Sequence, residues 1–571
     1  MQELPKKYQH QDVEARWAEY WENAKSYRWD ASQSRDETFV VDTPPPTVSG
    51  SLHVGHVFSY THTDLIVRYQ RMRGKNIMYP MGWDDNGLPT ERRVQNKFGI
   101  TCSPELPYDP AWQPAPDGAE RKHPEAISRR NFIEACTLVT SEDEKAFESL
   151  WRHLGLSVEW QQQYATIDEH CRATSQRSFL DLIAKGLVYS VESPTMWDVT
   201  FQTALAQADI EDRPQPGAYH DVRFGIDGGG SFVISTTRPE LIVSVIAVVA
   251  HPDDERYQPL FGKSAITPLF HARVPILPST HADPEKGSGI MMVSTFGDAA
   301  DVEWWRSSGL PIKQVINRAG RFDPVDFTEE PFVSVAPEKA KAAYDELVGK
   351  TVKQVRKRVA ELLAEEGSAV DGQGAALVGA LKPIEHPVKF YEKGDLPVEF
   401  VTTRQWFIRL LDHKQELLAQ GEKIQWHPPH MQARYSNWVE GLNYDWCISR
   451  QRFFGVPFPV WYPISTAGEV LFDEPIFADP ARLPVDPLSE APPGYQAEQR
   501  GEPGGFAGDP DIMDTWATSS LTPQIVSKWG IDEQRHRKLF PMDMRPQSHE
   551  IIRTWAFYTI AKAWMHEREI S

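Results

Sequence analysis

Two histidines three residues apart, His53 and His56, flank Gly55 just after a run of prolines and small residues. From Val41 to His56 the chain reads Val-Asp-Thr-Pro-Pro-Pro-Thr-Val-Ser-Gly-Ser-Leu-His-Val-Gly-His. A spacing of three puts two side chains on one face of a helix. The first turn of a helix also presents unpaired N–H groups and partial positive charge. Gly55 has no Cβ, so a flat ligand can approach the backbone between the rings. The chemistry these residues fit is the holding of a polyphosphate and the stabilisation of charge that builds up on it. The plainer reading is a proline-stiffened turn with two surface histidines. The apolar strand ahead (39–41) and the helix behind supply the context a phosphate-binding motif requires.

Those flanking elements imply a particular scaffold. A second apolar segment, Ile77-Met78-Tyr79-Pro80-Met81, follows the helix, and strand–helix–strand is a βαβ unit with parallel strands and a right-handed crossover. Ligands bind at the carboxyl ends of such strands. The histidines fall there, and so does Gly82-Trp83-Asp84-Asp85-Asn86-Gly87-Leu88-Pro89. Val13, Trp17, Tyr20 and Trp21 mark an N-terminal helix within residues 1–30, and 132–155 and 171–186 read as helices. From about Met196 short strands and turns dominate (222–226, 232–236, 243–250, 274–277, 290–294), with helices at 339–347 and 352–366. That pattern predicts a β-rich domain inserted into the first. After Phe400 the first character returns, ending in a helix over 551–566 that sets Ile551 and Trp555 one turn apart. Residues 484–511, rich in Pro, Gly and Glu, read as a long surface loop.

Bulk composition narrows the classes. The 571 residues, 40% of them hydrophobic, suffice for several cored domains. No apolar run of ~18 residues is present, so no membrane span is expected, and the start lacks an apolar signal core. Four scattered cysteines form no CxxC pair, which argues against a disulfide framework or a cysteine zinc site and fits the cytoplasm. A net charge of −20 counts against a surface that coats nucleic acid throughout. Local basic tracks remain at Arg121, Lys122, Arg129 and Arg130 and over 350–358, each of which also reads as a solvated helix face.

These separated segments, in this order, resemble the class I aminoacyl-tRNA synthetases of the valine, isoleucine and leucine group, and within it the valine branch. The resemblance covers nearly the whole chain. It implies an α/β fold: a Rossmann-like parallel-sheet catalytic domain over 1–195 and 400–571, with an inserted β-rich editing domain over 196–399. It further implies that His53 and His56 contact ATP phosphates and stabilise the transition state. Thr47 to Gly50 would lie beneath the nucleotide, Gly55 beside the phosphates, and Glu550 on the ribose. Asp84 would pair with the substrate ammonium. Pro45, Pro46, Trp516, Ile551 and Trp555 would form a dry slot for a short branched side chain. Such a slot excludes isoleucine by size but rejects threonine only ~10²-fold, a discrimination that is a standard worked case for this enzyme class.

Hydrolytic editing is therefore expected. The segment Thr236-Thr237-Arg238-Pro239-Glu240 resembles the TTRPE segment of the editing domain, and Asp298 and Asp301 resemble its acidic pair. Two departures stand out: Leu241 where Thr is frequent, and Met292 where Lys is frequent. The resemblance implies L-valine, ATP with Mg2+ and tRNA(Val) as substrates, a monomer, no membrane and no structural zinc. No Lys-Met-Ser-Lys-Ser loop occurs in the 571 residues, so the expectation is a truncated chain with no anticodon-binding domain and impaired activation. The alternatives are an isoleucine-specific enzyme, or an activation-deficient fragment that binds or edits in trans.

Overall fold

The structure, a computed structural model, describes residues 7–48, 52–115, 123–295, 301, 302, 304 and 309–568. It divides into two compact units, Met1–Tyr189 with Trp406–Ser571, and Ser190–Gln405. Among the described residues no helix is long and apolar enough to cross a membrane.

The first unit begins with α1 (His10–Asn23), β1 (Thr38–Val40), α2 (Val54–Met72) and β2 (Asn76–Met78). Strands β1 and β2 pair in parallel, Thr38 opposite Asn76 and Val40 opposite Met78. This is the βαβ unit that the alternation of apolar segments implies. Helix α2 is held by one face, on which Tyr60, Thr63, Asp64 and Val67 are buried. Asp64 anchors that face by accepting the Ser157 backbone N–H (2.8 Å) and pairing with Arg68 (2.7 Å). Then come β3 (Gly82–Trp83), α3 (Leu88–Phe98), α4 (Arg129–His153), β4 (Tyr164–Ala165) and α5 (Glu169–Ala184). Strands β3 and β4 are parallel, and Trp83 stacks on Trp151 of α4 with centroids 5.4 Å apart.

The second unit is a seven-stranded sheet. Its strands are β5 (Ile210–Ile226), β6 (Ser231–Thr236), β7 (Val245–Ala250), β8 (Ser264–Ile266), β9 (Arg273–Pro278), β10 (Ile290–Ser294) and β11 (Lys382–Tyr391). The order is β6-β5-β8-β9-β7-β10, with β11 on β5 over ten residue pairs. Val222, Phe224, Ile234, Val248 and Ile276 form its core with Val355 and Val359 of α7 (Val352–Ala364); α6 is Pro337–Asp345. Two of the basic residues read as a possible nucleic-acid track over 350–358 pair with carboxylates here: Arg356 with Glu240 (2.7 Å) and Arg358 with Glu346 (2.8 Å). In the first unit Arg129 likewise pairs with Asp486 (2.7 Å) and Arg130 with Glu134 (3.4 Å). Arg121 and Lys122 lie outside the described residues.

The chain's last third completes the first unit with α8 (Thr515–Ser519) and α9 (Trp555–Glu567). Two expectations are corrected here. The helix expected over 551–566 is broken: His549–Ile552 is a 3₁₀ turn, and Thr554, at φ −115° and ψ −86°, leaves helical geometry before α9 begins. Residues 484–511 are not a free loop. Val485 and Phe506 are buried beside Trp461, and Phe506–Gly508 pairs with Val460–Pro463. Apolar anchors inside a Pro/Gly-rich stretch outweigh its turn composition.

Candidate active site

His53 is the N-cap of α2 and His56 lies in its first turn. The Nδ1 of His53 accepts the Gly55 backbone N–H (3.2 Å), and the Nδ1 of His56 accepts the His53 backbone N–H (3.4 Å). This reciprocal cap satisfies two of the helix's orphan donors. It also fixes the tautomer: when neutral, each ring carries its proton on Nε2. The rings lie 4.0 Å apart with their planes tilted by 32°, so the pair presents two neighbouring N–H donors. Burial against Phe147 (5.7 Å) and the neighbouring His53 ring lower the pKa of His56, so it is neutral at pH 7. Gly55 contributes differently from the sequence expectation. A Cβ there would sit 3.0 Å from the His53 ring, so the missing methyl makes room for that imidazole.

The Asp84 loop lies beside the proline turn. The Asp84 N–H donates to the Pro46 carbonyl (2.9 Å), and the Val48 N–H donates to the Asp84 carbonyl (3.4 Å), which sets Thr47 opposite Asp84 in a parallel bridge. The Thr166 hydroxyl donates to the Asp84 carboxylate (3.3 Å). Helix α2 is tied to the same turn by the Tyr60 hydroxyl, which donates to the Pro44 carbonyl (2.5 Å). Pro45 and Pro46 are buried and Thr47 is exposed; Gly50 lies outside the described residues. Asp85 is fully buried, and its burial with Glu144 nearby holds its carboxyl far above the usual range, which takes one negative charge out of the loop.

Gly87 closes this loop with φ +89°, a conformation that favours glycine, and a Cβ there would meet the Thr515 hydroxyl at 2.6 Å. The start of α8 therefore abuts the Asp84 loop, with Trp516 half-buried beside it. Asp514 caps α8 by accepting the Trp516 N–H (3.2 Å), and it also holds Trp446 Nε1 and Arg450, each at 3.0 Å. Trp555 is placed differently from a pocket-lining side chain. It is fully buried, donates Nε1–H to the Ser519 carbonyl (2.8 Å) and carries Arg545 over its ring at 3.8 Å. It backs α8 rather than facing solvent. Ile551 is half-buried on the 3₁₀ turn, and Glu550 is exposed next to it.

Sequence reasoning missed a buried brace behind α8. Lys562 donates to the Ala517 carbonyl (2.7 Å) and to Ser178 Oγ (3.3 Å). His566 bonds Ser178 (2.8 Å) and Asp181 (2.7 Å). Burial lowers Lys562 to about 7 and His566 to about 4. The one signal in the sequence was their spacing of four on a helix otherwise read as core.

In the inserted unit, Thr236 ends β6 and its hydroxyl accepts the Arg238 N–H (3.1 Å). Ser288 Oγ accepts the neighbouring Ser235 N–H (3.3 Å), which brings the Thr236-Thr237 segment to the loop that feeds β10. At the far end of β10, Asp301 is buried and accepts the Ser294 N–H (3.4 Å); Asp298 lies outside the described residues. Arg238 is committed to carboxylates, Glu240 at 3.0 Å and Glu399 at 2.8 Å, with Glu240 fully buried. It acts as scaffold. Leu241 and Met292, the two departures from the family pattern, both belong to the hydrophobic core. Among the described residues no group of three His, Cys, Asp or Glu is placed to hold a metal ion, and all four cysteines are free.

Paired imidazoles thus cap a helix that leaves a parallel βαβ unit, beside an acidic loop. The family profile described as tRNA synthetases class I (I, L, M and V) matches residues 16–568, and the chain belongs to that family. Within it, the chain is 54% identical over 564 residues to the valine–tRNA ligase of Thermobifida fusca, covering 98% of this chain and 62% of that protein. It is 52% identical over 566 residues to the valine–tRNA ligase of Cutibacterium acnes, covering 98% and 63%. It thus spans just under two thirds of the length of these relatives. Among solved structures, a LeuRS–tRNA complex of Agrobacterium radiobacter K84 aligns over 97% of this chain and 65% of its own, at TM-score 0.46 and 19% identity.

Proposed function

We propose that the chain activates L-valine with ATP and, as part of a longer protein, transfers it to tRNA(Val). The observation that carries this reading is the pair of Nε2–H donors at the start of α2, set on the same turn as Asp84. In activation, the valine carboxylate oxygen attacks the α-phosphorus of ATP, and the bond to the β-phosphate breaks to release pyrophosphate with its Mg2+. His53 and His56 donate N–H bonds to phosphate oxygens whose charge grows at that moment, a contact stronger in the transition state than before it. Asp84 takes the ammonium; Thr47 and Gly50 lie under the nucleotide; Glu550 reaches the ribose. Pro45, Pro46, Trp516 and Ile551 bound the side-chain slot, with Trp555 stiffening it from behind.

Residues 196–399 are proposed to edit. Thr236, Thr237, Asp298 and Asp301 would hold the misacylated end and the attacking water for hydrolysis of Thr-tRNA(Val), with Arg238 positioning their segment. Residues 1–195 and 400–571 form the activating domain, working as a monomer in the cytoplasm. As a polypeptide of these 571 residues alone, with no Lys-Met-Ser-Lys-Ser loop, it is expected to activate valine at least 10²-fold more slowly than its longer relatives, the effect of one or two lost charge contacts.

An amino-acid panel in pyrophosphate exchange tests the reading. Valine is expected to be activated best, with threonine about 10²-fold behind and isoleucine weaker still. Strong isoleucine activation would overturn it.

A further inference from the structure

Helix α8 has only five residues, Thr515–Ser519, too few to hold its shape by its own hydrogen bonds. It carries Trp516, the aromatic wall of the proposed slot, so whatever pins α8 also places that ring. Its start is pinned by Asp514, which accepts the Trp516 N–H and is itself held by Trp446 and Arg450. The carbonyls at a helix's far end lack partners inside the helix, and here side chains of α9 take two of them. Trp555 donates to the Ser519 carbonyl at 2.8 Å, and Lys562 to the Ala517 carbonyl, one residue past Trp516, at 2.7 Å.

Lys562 belongs to a chain of four side chains. Helix α5 supplies Ser178 and Asp181, one turn apart, and α9 supplies Lys562 and His566, also one turn apart. His566 Nδ1 lies 2.7 Å from the Asp181 carboxylate, so it carries the ring proton, and Nε2 accepts the Ser178 hydroxyl hydrogen at 2.8 Å. The Ser178 oxygen in turn accepts from Lys562 Nζ at 3.3 Å. Every bond therefore points one way, from Lys562 through Ser178 and His566 to Asp181. Lys562 is 3% exposed and Ser178 0%, whereas the Asp181 side chain is 30% exposed. The neighbours of Lys562 along α9, Ile560, Ala561, Ala563, Trp564 and Met565, are all buried. An apolar side chain would fill that position without the cost of burying an amine, so packing alone does not account for a lysine there.

We propose that Lys562, aimed by the Ser178–His566–Asp181 chain, is a positioning residue that fixes Trp516 and thereby sets how sharply the slot separates valine from isoleucine. The proposal rests on the reading of this site as a valine-activating one. Lys562 touches no substrate; it acts through the Ala517 carbonyl.

The test is pyrophosphate exchange with valine, isoleucine and ATP varied in turn, on the 571-residue chain and on its Lys562→Met and Ser178→Ala variants. Lys562→Met keeps the bulk and removes the donor. The KM for valine is expected to rise about tenfold, and the preference for valine over isoleucine in kcat/KM to fall by a similar factor, with the KM for ATP unchanged. Ser178→Ala keeps the Lys562–Ala517 bond but unties Lys562 from His566, and is expected to move the same two quantities about threefold; it carries the test alone if Lys562→Met does not fold. A merely structural role lowers the amount of active protein, which scales every rate alike and leaves KM values and the valine-to-isoleucine ratio in place. That result overturns the proposal, as does an equal rise in the KM for ATP or a Ser178→Ala variant that behaves as the parent. If the parent chain itself prefers another amino acid, the valine reading falls and takes this inference with it. A parent that prefers valine, with variants that keep its KM and ratio, overturns the positioning role alone.

Discussion

Gly55→Ala separates folding from function at this site. Gly55 lies in the first turn of α2 and is exposed. Alanine there favours the helix, by up to about 1 kcal/mol for an interior position. The new Cβ, however, would lie 3.0 Å from the His53 ring, where ordinary contact needs 3.4 Å or more. His53 must move by about half an ångström and loosen its bond to the residue 55 N–H. Since a misplacement of 1 Å in catalytic geometry costs about 10²-fold, half of that is expected to cost about tenfold, or ~1.4 kcal/mol of barrier. Valine-dependent pyrophosphate exchange reads the rate, and thermal unfolding of the same sample reads stability. Activation should drop about tenfold while the melting temperature holds or rises slightly. Unchanged exchange with unchanged melting would show that the position of His53 does not matter to the chemistry, and the argument from the paired donors would fall.

Other outcomes follow from the same geometry. His56→Gln, which keeps a donor near the Nε2 position, should retain at least tenfold more exchange activity than His56→Asn, which reproduces only the Nδ1 side; the reverse order would contradict the donor assignment. Asp84→Asn should weaken valine binding by about ten- to 100-fold, the range of a charged hydrogen bond, with ATP binding little changed in equilibrium titration. Arg238→Ala strips one cation from the buried Glu240 and the nearly buried Glu399. It should destabilise the inserted unit by about 3–5 kcal/mol in urea denaturation, and a loss under 1 kcal/mol would refute a scaffold role. Burial pushes His566 down to about 4 from the ordinary histidine value of 6.5, so the unfolded chain takes up its proton first as pH falls. Stability should therefore drop by about 3 kcal/mol between pH 6.5 and 4. His566→Gln should flatten that slope, whatever its effect at pH 7.

The imidazole pair, the proline turn and the acidic loop were legible because motif, strand and helix agreed within fifty residues. Other features were not. Strand β11 carries Pro383 and Pro387, and its partner β5 carries Pro214 and Pro216; local signals read such stretches as loop. In the sheet Pro387 faces Pro214, and β11 lies at an edge, where a missing N–H costs little. The break at Thr554 has no glycine or proline to announce it, and the apolar spacing runs straight through. The roles of Trp555 and Arg238 depended on long-range partners, Ser519, Arg545 and Glu399, which no local pattern names.

Strand β1 is flanked on one side by β2 and on the other by residues made some 500 positions later. The Val40 N–H donates to the Asp543 carboxylate (2.7 Å), Val41 bridges Met544, and the buried Asp42 pairs with Arg545 (2.8 Å). At ~5–20 residues per second of synthesis, that gap corresponds to about 25–100 s during which the nascent first unit exposes an open strand edge while the whole insertion emerges and folds. Biosynthesis of this protein thus has a built-in waiting period, set by the sequence distance between β1 and its second neighbour.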